Sequence, residues 1–168
     1  MRKIYSSLFM LILLVIIPGC ERDEICLEDI TPKLIVRFYN NDIPSEVKSV
    51  INLKVEIEGI DGEYTNESIS LLTDSIAIPL VVTENQTKFI LTLQGDTSAG
   101  TEDNIDTLFV SYDQQDLFVS RSCGYKTVFN NANPVINNDN DNWMKELEIT
   151  KDPLEIIDEN KAHVKIYH

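Results

Sequence analysis

Positive charge is scarce in this chain, and its scarcity excludes one class of partner. The 168 residues include 14 Lys and Arg against 28 Asp and Glu, which gives a formal net charge of −14 at pH 7. A protein that binds nucleic acid needs a basic surface against the phosphates. We therefore expect no nucleic acid partner. The acidity itself is explained by the solubility that a large net charge provides.

Histidine is also rare, and the lack of it argues against the common kinds of catalytic site. His163 and His168 both lie near the C-terminus, and neither shares a spacing with a nucleophile or a metal partner. No residue is therefore assigned a catalytic role. Because 28 acidic residues are present, any proposed pair of catalytic carboxylates is uninformative. The sequence leaves enzymatic activity open and favours a protein that is not an enzyme.

An apolar segment long enough to span a bilayer is missing as well. The apolar run Leu8–Ile17 would rise about 15 Å as a helix, which is half the hydrocarbon thickness. It follows Arg2 and Lys3 and ends at a small residue, Gly19. These are the three parts of a secretory signal. We predict a cleaved signal peptide over residues 1–19.

The end of this segment indicates how the mature chain begins. Ile17-Pro18-Gly19-Cys20 resembles the bacterial lipobox, in which an aliphatic and a small residue precede a cysteine that is acylated. We predict lipid attachment at Cys20, with residues 20–31 as an acylated tether. A soluble secreted product and a retained signal anchor are the alternatives. More than one acyl chain would give stable anchoring.

A charged triplet follows the predicted lipid site. Arg22-Asp23-Glu24 resembles the surface-export signal of Bacteroidota lipoproteins, although a solvated linker would have a similar composition. We expect an outer-membrane lipoprotein that is exposed at the cell surface, and a location facing the periplasm is the alternative. Removal of residues 1–19 leaves 12 basic against 28 acidic residues, a net charge of −16.

The three cysteines support the same compartment. If lipid occupies Cys20, then Cys26 and Cys123 remain as an even pair in an oxidising location. We predict a disulfide between them, and two independent buried thiols are the alternative. Closing a loop of this length would remove about 4 to 5 kcal/mol of unfolded-chain entropy.

The rest of the chain alternates apolar and polar residues, and no 11-residue window has a helical stripe. Leu34–Tyr39 places Leu34, Val36 and Phe38 on one face, and Ile51–Glu58 alternates apolar and polar residues without a break. We predict an all-β fold: an antiparallel β-sandwich of about eight or nine short strands, in a single domain over residues 32–168.

Several local features follow from residue types. Pro79 should confine the strand of Ser75–Val82 to a sheet edge, or introduce a bulge. Asp113–Asp116 should form a hairpin turn between two short strands. Residues 130–142, which are rich in Asn and Asp, should be irregular, and Leu154–Ile157 should form a turn.

One segment has part of the spacing of a calcium loop. Asn137, Asp139 and Asp141 would be the first, third and fifth ligands, and Glu148 the bidentate carboxylate. Asn142 stands where the loop requires glycine, and the flanking pattern is strand rather than helix. We therefore favour a solvated turn and assign no metal and no cofactor.

Four other positions are weaker candidates. Asp74-Ser75-Ile76 and Asp106-Thr107-Leu108 resemble the O-glycosylation triplet of Bacteroidota, but strand alternation also produces such triplets. Arg37 and Arg121 each interrupt an apolar strand. An exposed ion pair is the expected role of each arginine, and binding of an anion is the alternative.

Several stretches together resemble a known family. Cys26, Thr31–Tyr39, Asp74–Leu80 and Phe118–Tyr125 are similar to a family of small Bacteroidota lipoproteins that is catalogued only as a domain of unknown function. Ser122–Tyr125 is the most specific part. The resemblance covers nearly the whole mature chain, and it implies the compartment and the pairing of Cys26 with Cys123. It implies no activity.

We expect a membrane-anchored lipoprotein that is a non-enzymatic binding or assembly module. Its partners would be the membrane, through the N-terminal lipid, and a protein at the outer membrane. The alternative is a cell-envelope hydrolase that acts on glycan or cell-wall substrate through an unidentified pair of carboxylates.

Overall fold

The computed structural model describes residues 26, 31–59, 72–94, 100 and 102–168. The predicted signal peptide and most of the predicted tether lie outside these residues. The described chain contains eleven strands and no helix: β1 (Leu34–Tyr39), β2 (Val50–Ile51), β3 (Leu53–Ile57), β4 (Leu72–Thr73), β5 (Ser75–Ile78), β6 (Gln86–Leu93), β7 (Asn104–Ser120), β8 (Gly124–Asn137), β9 (Glu146–Ile149), β10 (Leu154–Ile156) and β11 (Val164–Tyr167).

Two large sheets form the all-β fold, and their packing is consistent with the predicted sandwich. One sheet has the order β5-β1-β11-β9, and the other has the order β10-β8-β7-β6-β3. A third, two-stranded sheet pairs β2 with β4. Alternate residues of the strands face a common apolar core, as the period of two requires. Its fully buried members include Leu34, Val36, Phe38, Val55, Ile78, Phe89, Leu91, Leu108, Val110, Phe129, Ile156, Val164 and Ile166.

The two most regular alternating segments form strands as predicted. Leu34–Tyr39 is β1, and Leu53–Ile57 forms β3 within the predicted segment Ile51–Glu58. β5 ends directly before Pro79 and lies at the edge of its sheet. That placement confirms the prediction from proline, which cannot donate a hydrogen bond to a neighbouring strand.

One strand pair departs from the expected antiparallel arrangement. β11 lies beside β1 in parallel register, with Val36 opposite Val164 and Tyr39 opposite Tyr167. A parallel pair needs a long connection, and here almost the whole domain separates the two strands. The last strand of the chain therefore lies in the middle of the first sheet, between β1 and β9.

The predicted hairpin turn at Asp113–Asp116 is wrong. β7 continues without a break through these residues to Ser120, and the chain turns at residues 121–123 instead. The polar side chains find partners on β8 within a two-stranded ribbon. Asp116 accepts a hydrogen bond from Thr127 at 2.8 Å, and Asp113 accepts one from Asn131 at 2.8 Å. Such cross-strand pairs stabilise a strand that turn propensity alone would end.

The prediction of an irregular segment over residues 130–142 is wrong for its first half. β8 continues to Asn137, and Asn131 adopts a positive φ of 50° where the register shifts. Asparagine tolerates this conformation, so a bulge takes the place of a turn. Pro134 is accommodated because β10 pairs with β8 only up to Ala132, which leaves β8 an edge strand at the proline.

The strands also differ from the expectation in number and length. Leu154–Ile156, within the predicted turn, forms β10 and pairs with Phe129 and Ala132 of β8. The described residues contain eleven strands rather than eight or nine. Two of these strands are long, because β7 has 17 residues and β8 has 14. Pairing with neighbouring strands determines where these strands begin and end, and local composition does not predict it.

Candidate functional site

The far end of the β7–β8 hairpin carries two aromatic side chains in water. Phe118 and Tyr125 are directly opposite each other in the register, and their rings lie edge to face with centroids 5.5 Å apart. Phe118 is 61% exposed and Tyr125 is 64% exposed. An aromatic pair of this kind stabilises a ribbon, yet it leaves most of both rings uncovered. We call residues 117–126 the hairpin tip.

Hydrogen bonds of serine hydroxyls and a glycine with positive φ shape the turn of the hairpin tip. The backbone N–H of Cys123 donates to the Ser120 hydroxyl at 3.0 Å, and the hydroxyls of Ser120 and Ser122 lie 3.1 Å apart. Gly124 has a φ of +73°, a left-handed conformation that glycine adopts without steric cost. These contacts fix the three-residue turn and hold Tyr125 opposite Phe118.

A disulfide joins the hairpin tip to the start of the described chain. Cys26 and Cys123 are bonded, with their Cα atoms 5.0 Å apart across a sequence separation of 97 residues. Cys20, the predicted lipid site, lies outside the described residues, as does the triplet Arg22–Glu24. In the sequence, Cys26 is the sixth residue after Cys20. Among the described residues, no helix is long and apolar enough to cross a bilayer.

The hairpin tip belongs to a segment whose charge contrasts with that of the chain. Residues 117–138 contain no Asp or Glu, although the chain has twice as many acidic as basic residues. Arg121 lies in the turn, and Lys126 follows Tyr125. The tip therefore combines exposed aromatic surface with positive charge.

A buried carboxyl group, Asp106, lies on β7 toward the other end of the hairpin. Its side chain is 1% exposed, and Oδ2 accepts a hydrogen bond from the backbone N–H of Met144 at 2.7 Å. Oδ1 is also buried, and no hydrogen-bond partner for it occurs among the described residues. Burial raises the pKa of Asp106 above its usual value, and the bond from Met144 opposes that shift. Because the carboxyl has almost no exposure, a substrate cannot reach it without rearrangement.

The burial of Asp106 is not among the predictions from the sequence, where this residue only begins a triplet that resembles an O-glycosylation signal. The strand periodicity of two could have predicted its burial, because Asp106 alternates with Leu108, Val110 and Tyr112, which all face the core.

The loop with partial calcium spacing is held by its own side chains. The backbone N–H groups of Asp139, Asn140 and Asp141 donate to the side chains of Asn142, Asn138 and Asp139, respectively, at 3.0 to 3.1 Å. The bonds from Asn140 and Asp141 are typical of Asx turns. No group of three or more His, Cys, Asp or Glu that could hold a metal ion occurs within the described part of the chain.

Glu148, the proposed bidentate ligand, is engaged elsewhere. It lies on β9, where its carboxylate accepts a hydrogen bond from the Tyr167 hydroxyl at 2.6 Å and one from Lys165 Nζ at 3.1 Å. These two bonds lower the pKa of Glu148, with Tyr167 as the main cause. The same contact raises the pKa of Tyr167 to about 12. The arrangement is a partly exposed cross-strand network between β9 and β11.

Both histidines have structural contacts. His163 Nδ1 accepts a hydrogen bond from the Ile35 backbone N–H at 2.9 Å, and the backbone N–H of His163 donates to the Ile35 carbonyl at 2.8 Å. His168 Nε2 lies 3.0 Å from the Lys48 carbonyl. Burial lowers the pKa of both imidazoles below the usual value.

The weaker candidates occupy paired strands or the surface. The Ser75 hydroxyl donates to the Val36 carbonyl at 3.2 Å, and Thr107 lies in β7 between β6 and β8. Arg37 forms a half-exposed ion pair with Asp74 at 3.7 Å, in agreement with the role expected for it. Arg121 is exposed in the turn of the hairpin tip.

These observations define a class of protein: an all-β fold with an exposed aromatic hairpin whose tip is disulfide-bonded to the N-terminal segment. The particular family follows from a match of residues 52–168 to the model of a family of unknown function, DUF6452. The chain belongs to this family. This match confirms the expectation that the chain belongs to a family of unknown function. Searches of curated proteins and of solved structures returned no match.

Proposed function

We propose that the chain is an outer-membrane lipoprotein, acylated at Cys20, which acts as a non-enzymatic binding or assembly module. The leader supports the lipid, because a basic start, a short apolar run and Gly19 precede Cys20. The observation that carries the proposal is the disulfide between Cys26 and Cys123. It connects the folded domain, through the exposed hairpin tip, to a point six residues from the proposed lipid.

Tethering gives such a module its advantage. A domain held at a membrane meets a partner in the same membrane at a high effective concentration, so a weak contact suffices. Arg22-Asp23-Glu24 supports transport to the cell surface, because it resembles the export signal of Bacteroidota lipoproteins. The partner we propose is a protein of the outer membrane, in addition to the bilayer itself.

Mass spectrometry of protein purified from membranes tests the lipid. The wild type should start at Cys20 and carry acyl chains, and Cys20→Ser should have no acyl mass and leave the membrane fraction. The double variant Cys26→Ser/Cys123→Ser is the matched control, because it also loses cysteines and should keep the acyl mass. An unacylated wild-type chain that begins beyond residue 20 would rule out the proposal.

Protease treatment of intact cells tests the orientation. A surface-exposed domain should be cleaved, with a periplasmic protein as the protected control. Protection of the wild type in intact cells, followed by cleavage after the outer membrane is opened, would place the domain on the periplasmic side. Replacement of Arg22, Asp23 and Glu24 by alanine should change the wild-type pattern to the protected one.

Crosslinking before detergent extraction tests the assembly role. Wild type should form a reproducible crosslinked product with one or few outer-membrane proteins, and Cys20→Ser should form less of it. Recovery of the chain alone, under conditions that retain other envelope complexes, would count against a module of this kind.

A further inference from the structure

We propose that the hairpin tip is a second membrane contact: Phe118 and Tyr125 enter the lipid headgroup region, and Arg121 and Lys126 meet anionic headgroups. This inference rests on the proposed attachment of lipid at Cys20. It adds a defined orientation, in which the β7–β8 hairpin points at the bilayer and the sandwich stands away from it.

The exposed aromatic pair is the first argument. The two rings share one face of the ribbon, 5.5 Å apart, and both are more than half exposed. Neither ring is part of the core, and together they form an exposed apolar patch, a feature that marks interaction sites. The membrane interface suits them, because tyrosine keeps its hydroxyl at the headgroups while its ring leaves water.

The reach of the chain is the second argument. Cys26 is the sixth residue after Cys20, so the chain between the two spans at most about 20 Å when fully extended. Cys26 is bonded to Cys123, which lies two residues before Tyr125. Acyl chains on Cys20 would therefore keep the hairpin tip within a short distance of the bilayer surface.

The shape of the hairpin is the third argument. Beyond the core residues Tyr112 and Phe129, β7 pairs only with β8 among the described strands. Val128, opposite Gln115, is still buried, and the five residues 116–120 beyond that pair rise about 15 Å at the strand spacing. This projection allows the tip to reach the headgroups while the strongly acidic sandwich stays clear of them.

Charge complementarity is the fourth argument and identifies the kind of surface. The hairpin tip carries Arg121 and Lys126 and no acidic side chain, in a chain of net charge −14. Anionic headgroups would repel most of this protein, and they attract basic residues close to the surface. The tip is therefore the part of this acidic protein that suits a surface of anionic phospholipid.

Depth-dependent fluorescence quenching tests the proposal. The chain has one tryptophan, Trp143, which is 6% exposed, so a second tryptophan can report on the tip. Phe118→Trp places it there. Val135→Trp is the matched control, because Val135 is on the same hairpin, is 50% exposed and lies about 30 Å from Tyr125 along β8. Both proteins are anchored in vesicles of zwitterionic and anionic phospholipid, with or without brominated acyl chains.

For Phe118→Trp we expect the emission to shift to the blue on vesicles and to be quenched by brominated acyl chains. For Val135→Trp we expect neither change. Added Arg121→Glu and Lys126→Glu should reduce the quenching in anionic vesicles. Equal quenching of both tryptophans would overturn the orientation. A blue shift that grows with protein concentration in the absence of vesicles would overturn the lipid partner in favour of a second copy of the chain.

Failure of the lipid proposal and failure of the tip proposal are separable. In a parallel sample, the Cys20 thiol of the chain that starts at residue 20 is coupled to a maleimide lipid in the vesicles. This step supplies the anchor whether or not the cell acylates Cys20. Quenching in this sample together with an unacylated natural protein would reject only the proposed function. Acylated natural protein without quenching would reject only the hairpin contact.

Discussion

Asp106 and Met144 form a hydrogen bond that fixes the loop after β8 to the buried face of β7. Asp106 Oδ2 accepts from the Met144 N–H at 2.7 Å, and the carboxyl is 1% exposed. Because burial raises its pKa, the folded chain binds the Asp106 proton more tightly than the unfolded chain does. The contribution of this group to stability is therefore present at low pH and falls as pH rises through the interval between the usual and the raised pKa.

Asp106→Asn should remove this pH dependence. Asparagine keeps an oxygen for Met144 and does not ionise, so the wild type should lose stability relative to the variant as pH rises from 4 to 7. Urea unfolding at several pH values measures the difference. Asp141→Asn, an exposed position in the adjacent loop, should run parallel to the wild type. Parallel curves for Asp106→Asn would show that the carboxyl does not titrate as its burial requires.

Tyr112 ties the connection before β6 to β7. Its hydroxyl donates to the Val81 carbonyl at 2.7 Å and lies 2.6 Å from Thr87 Oγ1, which accepts from the Val81 N–H at 2.9 Å. Tyr112→Phe keeps the ring and removes both hydroxyl bonds. We expect a loss of about 1 to 2 kcal/mol in the free energy of unfolding, because buried groups lose their partner.

Tyr125→Phe is the matched control for Tyr112→Phe. The Tyr125 side chain is 64% exposed, and its replacement should change the free energy of unfolding by less than about 0.5 kcal/mol. Thermal and urea unfolding of both variants measure the two effects. A cost at Tyr112 no larger than the cost at Tyr125 would mean that the hydroxyl contributes nothing to the core.

Local alternation predicted the strands whose two faces differ in polarity. β1 buries a leucine, a valine and a phenylalanine on one face, and β3 buries a leucine, a valine and an isoleucine, in phase with the alternation. The hairpin escaped prediction because Asp113–Asp116 and residues 130–137 have turn composition, and only their cross-strand partners make them strand. Residue composition shows which segments can form a turn, but pairing across the ribbon made these two segments strand.

The sequence contains a signal for the aromatic hairpin tip, although the tip was not predicted. Phe118 and Tyr125 flank a short segment that includes Gly124, a pattern that is typical of a tight hairpin. An incorrect turn at Asp113–Asp116 concealed it, because that turn separated Phe118 from its partner. The parallel pairing of β1 with β11 had no such signal, since the two strands lie at opposite ends of the domain.

His163 should make stability depend on mildly acidic pH. Its Nδ1 must stay unprotonated to accept from Ile35 N–H, and burial lowers its pKa, which nearby Asp158 and Glu159 partly oppose. The unfolded chain therefore binds the proton more tightly. Stability from this group is present above the usual pKa of about 6.5 and is lost as pH falls toward the lowered pKa.

His163→Asn separates this titration from that of other groups. The asparagine side chain can still accept from Ile35, and it does not titrate. The stability of the wild type relative to this variant should fall as pH is lowered from 7 to 5. His168→Asn is the companion measurement, since the pKa of His168 is also lowered. A wild-type advantage that is constant with pH would contradict the neutral, buried imidazole.

The disulfide should contribute more to stability than any single side chain above. Cys26 and Cys123 close a loop with a sequence separation of 97 residues, and loop entropy assigns about 4 to 5 kcal/mol to such a crosslink, of which real bonds often deliver less. Cys26→Ser/Cys123→Ser, made in a Cys20→Ser background, should lower the midpoint of urea unfolding accordingly. The Cys20→Ser protein with and without reductant provides the control, because reduction should reproduce the loss in the background and leave the triple variant unchanged. Equal midpoints for the triple variant and its background would show that the domain is stable without its connection to the N-terminal segment.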